Sequence, residues 1–361
     1  MHILALSTFG ERCGIATYND ALVNAIRNKG HSVDIHPVDV ATARKLSPRQ
    51  LPYCFDSFEA KLAGYDALII QHEYGLFGGR FPSGVAQKVF AHVMKSVVAA
   101  NKPTAIIFHS EPRTSRRFLS KKRHYWKRIR TLINDNPRIF TVVHGETARQ
   151  QYLEAGLSEQ AIWATRHPLP EPHKIRKKKS SAGDVTLTIF GFIAKYKGYD
   201  EILAALDLLP GKYRLLIAGG EHPGNTLDDT YRRLREAQDP RIEITGWLEE
   251  EDIPAIMERT DIVLAPYHEN GPAGSGAVTW GICHGRPIIA SRTITFREIQ
   301  EEARCFELVP PKDPKALAEA IEKVATDKTL QKRLAENGLA YAGNHSWTAM
   351  AEGLLGRLGR P

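Results

Sequence analysis

The chain has little of what marks secreted, membrane-spanning or metal-binding proteins. Its 361 residues include only four cysteines, and none has the spacing of a disulfide framework or a metal site. No apolar run approaches the roughly 18 residues of a membrane span. The first residues read as a strand without the basic flank of a signal peptide. With 42% hydrophobic and 25% charged residues, the composition predicts a globular, cytoplasmic protein.

The charge is basic and unevenly distributed. The net charge is +8. Nine lysines and arginines lie between Arg113 and Arg130, and five more lie within 174–179. One interpretation of the first cluster is peripheral contact with the anionic inner face of a membrane or with a lipid-linked acceptor. The other is a solvated helix face. Nucleic acid is not an expected partner, because no module that binds it is present.

Predicted strands and helices alternate along the chain, which favours doubly wound parallel sheets in an α/β fold. The alternation restarts after a segment rich in Pro, Ser and Lys, so two domains are expected. We predict a first domain over 1–168, a linker over 169–184, a second domain over 185–345 and a final helix over 346–361 that could return to the first domain. A deep interdomain cleft is the expected ligand site.

A glycine-rich loop in the second half is the strongest single motif. The apolar strand 262–265 ends at Pro266, the loop 270–276 follows, and a helix is predicted from about Ala277. The free N–H groups and the dipole of a helix N-terminus bind anions, and glycine lets the main chain approach a diphosphate closely. The same glycines could instead serve only to pack the helix on the sheet.

Other predicted strand ends of the second half carry cations and glycines. Lys195 and Lys197 follow the strand 185–190, where fixed cations could neutralise a leaving diphosphate; the alternative is a polar loop with surface lysines. Gly219, Gly220 and Trp247 follow the next two strands. We expect the two glycines to allow close approach of a base or ribose.

Histidines follow three strands of the first half. His72, His109 and His144 could act as acid–base groups, although a single histidine is usually structural. Their spacing does not fit a metal site. The glycine-containing loop 10–17 opens the first helix and is either a second anion site or a tight turn.

These segments together resemble GT-B-fold retaining glycosyltransferases of family four (group one) over nearly the whole chain. The segments that carry the resemblance are IATYNDAL, QHEYGLFGG, IIFHSE, VVHGETARQQYLEAG, GFIAKYKGYDEILAAL, LLIAGG, RIEITGWLEEEDIPAIMERTDIVLAPY, GRPIIAS and HSWTAMAEGLL.

The resemblance implies transfer of a sugar from a UDP- or GDP-linked donor to an acceptor, with retention at the anomeric carbon and without a metal or other cofactor. The nucleotide-sugar is a co-substrate, and the product would be a polysaccharide, glycolipid or other glycoconjugate. The implied mechanism is front-face attack without an enzyme nucleophile. The sequence lacks a close carboxylate pair of the glycosidase kind in these loops, which agrees with this mechanism.

The resemblance and the strand-end pattern assign roles to candidate residues. His109 and Lys197 are the predicted catalytic residues. The residues predicted to bind the donor diphosphate are Gly14, Lys195, Lys197, Ser275, Gly276 and Ala277. Those predicted to bind the donor sugar or nucleoside are Glu269, Gly219, Gly220 and Trp247. Those predicted on the acceptor side are Arg12, His72, Glu73 and His144.

The chain departs from the family pattern at two places. The family's Glu-x7-Glu pair falls on Pro272 and Trp280, so these acidic contacts are absent or moved to Glu269. An arginine common in the 191 loop is Phe192, and Lys195 could supply its charge. The alternative function is therefore a catalytically silent GT-B protein that serves as a binding or assembly partner.

Overall fold

The computed structural model describes residues 1–8, 14–113, 121–173, 183–221, 228–268 and 276–360, apart from the side chains of 121–123, 276, 277 and 295. The chain divides into two compact units. Unit 1 comprises Met1–His167 and Trp347–Pro361, and unit 2 comprises Pro168–Ser346.

Unit 1 is built on a six-stranded parallel sheet with the order β2-β1-β3-β4-β5-β6. Its strands are β1 (His2–Ser7), β2 (Ser32–Pro37), β3 (Ala67–His72), β4 (Thr104–Phe108), β5 (Ile139–His144) and β6 (Ile162–Thr165). The central strands β3 and β4 are buried throughout, as expected of a sheet covered on both faces.

Helices flank this sheet. They are α1 (Gly14–Asn28), α2 (Val40–Ala43), α3 (Asp56–Glu59), α4 (Tyr74–Gly78), α5 (Ser83–Ala100), α6 (Lys121–Asn134) and α7 (Glu146–Glu154). Helix α5 buries Val89, Val93 and Val97, an i, i+4 stripe that faces the core.

The last helix of the chain, α15 (Trp347–Leu358), completes unit 1. It packs on α1. Its Met350, Ala351, Leu354 and Leu358 are buried in the same apolar cluster as residues of α1 and of the central strands. The C-terminal segment therefore contributes to the core of the unit that contains the first strand.

Unit 2 contains a second six-stranded parallel sheet, with the order β12-β11-β10-β7-β8-β9. Its strands are β7 (Val185–Phe190), β8 (Tyr213–Ala218), β9 (Ile242–Ile244), β10 (Ile262–Ala265), β11 (Ile288–Ser291) and β12 (Phe306–Val309). The predicted parallel, doubly wound α/β architecture is confirmed in both units, whereas the predicted cleft stays a prediction.

The helices of unit 2 follow its strands. They are α8 (Tyr199–Leu208), α9 (Thr230–Glu236), α10 (Ile253–Arg259), α11 (Gly276–Cys283), α12 (Ile294–Ala303), α13 (Pro314–Thr326) and α14 (Lys328–Asn344). Side-chain caps fix several starts; the Asp313 carboxylate accepts from Ala316 N–H at 2.9 Å, for example, and such a cap stabilises a helix by about 1 kcal/mol. Among the described residues of both units, no helix is long and apolar enough to cross a membrane.

Candidate functional site

The side chain of Lys197 is buried at the carboxyl edge of the sheet of unit 2. It ends the one-turn 3₁₀ helix Lys195–Lys197 that follows β7, and only 5% of it is exposed. Its Nζ donates to the Phe190 carbonyl at 2.7 Å. A Cβ on Gly191 would lie 2.9 Å from this Nζ. Glycine at 191 therefore leaves the room that the ammonium occupies.

Burial destabilises the charged form of the Lys197 side chain. It lowers the pKa of Lys197 from 10.5 to about 8, since a cation loses hydration when it is removed from water. An ammonium has three donors, and the Phe190 carbonyl is the one hydrogen-bond acceptor that the described residues offer it. A bound anion would supply further acceptors and compensate for the charge.

The Lys197 turn is fixed against the segment that leads into the glycine-rich loop. Gly198 has φ +79°, and a Cβ there would clash with the Pro266 carbonyl. His268 N–H donates to the Tyr196 carbonyl at 2.8 Å, and its Nε2 lies 2.7 Å from Glu201 Oε2, with both side chains mostly buried. Lys197 therefore neighbours the start of the predicted anion loop, and the His268–Glu201 pair is a feature that the sequence did not indicate.

Most of the predicted anion loop lies outside the described residues. Glu269 and Ser275 are not described, so their predicted contacts stay predictions. Gly276 is the first residue of α11, and Ala277 follows in its first turn. These two residues are therefore at a helix N-terminus, as the anion-site prediction requires.

The glycines after β8 have a local structural role. Gly219 has φ +159°, and a Cβ there would clash with the Gly191 carbonyl. A Cβ on Gly220 would lie 3.3 Å from Trp247 N. The loops after β7, β8 and β9 therefore pack on one another, which explains the glycines; their predicted contact with a base or ribose stays a prediction.

An aromatic pair flanks these loops. The rings of Phe192 and Trp247 are 5.4 Å apart between centroids, and 53% of Trp247 is exposed. Lys195 is exposed, and its main-chain N–H donates to Asp228 Oδ2 at 2.6 Å. Unlike Lys197, Lys195 is thus held by its main chain rather than through its ammonium.

The predicted histidines of unit 1 lie at the carboxyl edge of its sheet. His109 is half-buried, and its Nε2 is 2.7 Å from Gln71 Oε1. Burial lowers the pKa of His109 to about 4 and the pKa of His144 well below 6.5. These rings are therefore neutral at pH 7.

His72 and Glu73 have visible structural roles. The His72 ring is buried between the rings of Phe77 and Phe90, at centroid distances of 5.4 and 4.4 Å, and burial lowers its pKa to about 3. The Glu73 carboxylate accepts from Gly75 N–H and caps α4. The predicted acceptor contacts of both residues stay predictions.

The remaining first-unit predictions fall at the start of α1 and in the basic segment. Gly14 is the first residue of α1, whereas Arg12 lies outside the described residues. Residues 114–120 of the basic cluster are not described. In α6, Trp126 is buried while Lys127 and Arg128 are exposed, a pattern that fits a solvated helix face. The predicted membrane contact stays a prediction.

Three rings that the sequence did not indicate complete the histidine cluster. Tyr18 lies edge-on to His109, with centroids 4.8 Å apart, and also contacts His167 and Trp347 at 5.5 and 4.9 Å. His144 contacts His167 at 5.2 Å. The cluster joins α1, two strand ends and the last helix, so no local motif could have revealed it. Across the described ranges, no group of three or more His, Cys, Asp or Glu could hold a metal ion.

Comparison with known proteins finds a family match over the same region of unit 2. Residues 184–327 match the family described as "Glycosyl transferases group 1", a segment that includes Lys197, Trp247 and the start of α11. The lipopolysaccharide core biosynthesis glycosyltransferase LpsE of Rhizobium meliloti is 25% identical over 167 residues, which are 45% of this chain and 46% of LpsE. The chain spans about half the length of the curated relatives it matches.

Solved structures match over the whole chain at low sequence identity. The Anabaena protein HepE in complex with UDP has a TM-score of 0.72 at 16% identity, covering 99% of each chain. A glycosyltransferase from Rickettsia africae has a TM-score of 0.74 at 16% identity, covering 100% of this chain and 99% of the other. The two parallel six-stranded sheets with their flanking helices thus have the GT-B fold.

Proposed function

We propose that this protein is a glycosyltransferase that moves a sugar from a nucleoside-diphosphate donor to an acceptor. The observation that carries this proposal is the buried Lys197 ammonium, which has a single carbonyl acceptor among the described residues. It lies within the segment that matches the group 1 glycosyl transferases. A diphosphate is an anion that this cation and the N-terminus of α11 would bind.

The donor that we propose is UDP-linked, with a GDP-linked sugar as the next candidate. HepE forms complexes with UDP and with UDP-glucose, and this supports a uridine nucleotide here. The exposed Trp247 ring beside Phe192 offers a face on which a base could stack. Phe192 stands where the family commonly has an arginine, so binding of UDP and binding of GDP need to be compared directly.

The proposed reaction proceeds with retention and without a metal or other cofactor. The bond between the sugar C1 and the diphosphate oxygen breaks, and its electron pair stays on the diphosphate. The acceptor oxygen bonds to C1 from the same face, and its proton passes to a diphosphate oxygen. Lys197 would stabilise the charge that grows on the leaving group, a contribution of the kind that fixed donors make in transition states.

His109 would orient a sugar hydroxyl and stabilise positive charge near C1. Its low pKa, about 4, keeps the ring neutral at physiological pH. A neutral ring suits this role, because a second positive charge would disfavour a cationic C1. The acceptor is proposed to be a glycan or glycolipid, which the description of LpsE as a lipopolysaccharide core enzyme supports.

A nucleotide panel tests the proposal. UDP, GDP and ADP are added separately, and the thermal unfolding temperature is measured; we expect UDP to raise it most, because a ligand that binds only the folded state stabilises it. UDP-sugars are then incubated with the protein in EDTA, and hydrolysis or transfer is followed by NMR of the anomeric proton. Stabilisation without turnover would favour a silent binding protein, and no stabilisation by any nucleotide would contradict the proposal.

A further inference from the structure

Gln71 and Asn19 form a buried polar pair behind His109. Gln71 is the penultimate residue of β3 and Asn19 lies on α1; both side chains are fully buried. The Gln71 amide bridges His109 and Asn19. Its Oε1 lies 2.7 Å from His109 Nε2, and its Nε2 donates to Asn19 Oδ1 at 3.2 Å. A fully buried glutamine on a strand is unusual, so its two hydrogen bonds need an explanation.

We infer that Gln71, supported by Asn19, is a positioning residue that keeps the proton of His109 on Nε2 and leaves Nδ1 as the nitrogen that meets the substrate. A carbonyl oxygen can only accept a hydrogen bond. Because Gln71 Oε1 faces His109 Nε2, this hydrogen bond forms when the ring carries its proton on Nε2. The neutral ring has one proton, so Nδ1 carries a lone pair.

Other contacts hold the ring in the same orientation. The Tyr18 ring packs edge-on against it, at 81° and 4.8 Å. The main-chain N–H of His109 donates to the His72 carbonyl at 3.0 Å. The ring is thus held by an aromatic neighbour, by its backbone and by Gln71, and rotation that exchanged Nε2 for Nδ1 would break the Gln71 bond.

The consequence for the reaction rests on the proposed function. With Nδ1 as a bare nitrogen, His109 accepts a hydrogen bond from a sugar hydroxyl and does not donate one to a phosphate. This orientation would align the sugar for front-face attack, so it affects the chemical step more than the binding of the nucleotide.

Nitrogen NMR of the full-length protein tests the tautomer directly. Histidine is labelled with 15N, and long-range proton–nitrogen spectra distinguish a protonated ring nitrogen from a bare one; His109→Gln identifies the signal. In the wild type we expect protonated Nε2 and bare Nδ1. Gln71→Met removes the oxygen acceptor, so it should give a mixture of tautomers.

A matched control is Gln87, a second buried glutamine, on α5. Its Nε2 donates to the Arg113 carbonyl at 2.9 Å. Gln87→Met removes a buried amide without touching His109, so it should leave the His109 spectrum unchanged. This control separates loss of the acceptor from general loosening of the unit.

Kinetics give the second readout. Gln71→Met should lower kcat about tenfold, equivalent to about 1.4 kcal/mol, with little change in the donor KM. The inference is overturned if wild-type His109 carries its proton on Nδ1, or if Gln71→Met leaves the ring spectrum unchanged. It also fails if His109→Gln transfers sugar at the wild-type rate, an outcome that leaves the proposed function and the role of Lys197 intact.

Discussion

The two units have the same sheet architecture but opposite chemistry at their carboxyl edges. In unit 1 that edge holds neutral rings that are buried or half-buried, among them His72, His109 and His144. In unit 2 it holds a buried cation, Lys197, beside glycines that let neighbouring loops approach. The comparison teaches that the same sheet architecture occurs at both edges, while the residues that follow each strand determine whether the edge is neutral or charged.

The largest effect is expected from removal of the buried cation. Lys197→Met should lower kcat for sugar transfer by about a hundredfold to a thousandfold, the range typical of losing a donor that stabilises transition-state charge. The matched control is Lys212→Met, because Lys212 is an exposed lysine before β8. Initial rates with a UDP-sugar measure the difference; equal rates for the two variants would show that the cation in unit 2 is not catalytic.

Although Lys197→Met should be less active, it should be more stable than the wild type. Because burial lowers the pKa of Lys197 to about 8, the charged lysine costs the folded state roughly 3 kcal/mol at pH 7. Leaving the Phe190 carbonyl unpaired offsets about 1 kcal/mol of the gain. Without nucleotide, Lys197→Met should therefore be about 2 kcal/mol more stable than the wild type in urea unfolding at pH 7.

The pH dependence of this gain checks its cause. The unfolded lysine binds its proton up to about pH 10.5, whereas the folded one loses it near pH 8, so wild-type stability should rise relative to the variant across that interval. A gain that stayed constant between pH 7 and 10.5 would mean that packing, not charge, explains it.

Unit 1 should respond to acid. His72, His109 and His144 have folded pKa values below 6.5, so the unfolded state binds more protons and stability falls as pH drops below 6.5. For His72, with a pKa of about 3, the loss between pH 7 and pH 5 is about 2 kcal/mol. His72→Phe, which matches its aromatic surroundings, should remove that share.

Hydrogen exchange followed by mass spectrometry localises the acid effect. Peptides from β3 and β4 should lose protection at pH 5 in the wild type and keep more of it in His72→Phe, after correction for intrinsic exchange rates. Peptides from β7 and β8 serve as the internal reference. Equal losses in both units would contradict the assignment of acid sensitivity to the histidines.

The smallest expected effect concerns the aromatic pair of unit 2. Trp247→Ala should weaken UDP binding about tenfold, because stacking of a base on an aromatic ring contributes about 1–3 kcal/mol. Tyr53→Ala is the control, since Tyr53 is an exposed aromatic residue of unit 1. Fluorescence titration with UDP measures both. Unchanged affinity in Trp247→Ala would remove Trp247 from the proposed nucleoside site.

The periodic parts of the fold were predictable from the sequence. The strand predicted over 262–265 is observed as Ile262–Ala265, because short apolar runs are distinctive. The region 40–60 has no periodic pattern in its sequence, because α2 and α3 have only four residues each.

Individual residues of the candidate site were predictable from the sequence, but the contacts between them were not. Lys197 and His109 follow predicted strands, so sequence order located them. The Gln71 contact depends on the register of two strands, in which Gln71 pairs with Ile107 and His72 with Phe108. Trp347 reaches the histidine cluster from the other end of the chain. Such contacts come from tertiary packing, which a single sequence does not encode locally.

The central claim is that unit 2 binds a pyrophosphate through the buried Lys197, and calorimetric titration at pH 7 tests it most directly. UDP and uridine are each titrated into the wild type, Lys197→Met and Lys212→Met. We predict that Lys197→Met weakens UDP binding by at least about tenfold, as expected for a hydrogen bond to a charged group, while uridine binding and the Lys212→Met variant remain like the wild type. Wild-type affinity of Lys197→Met for UDP would contradict the account.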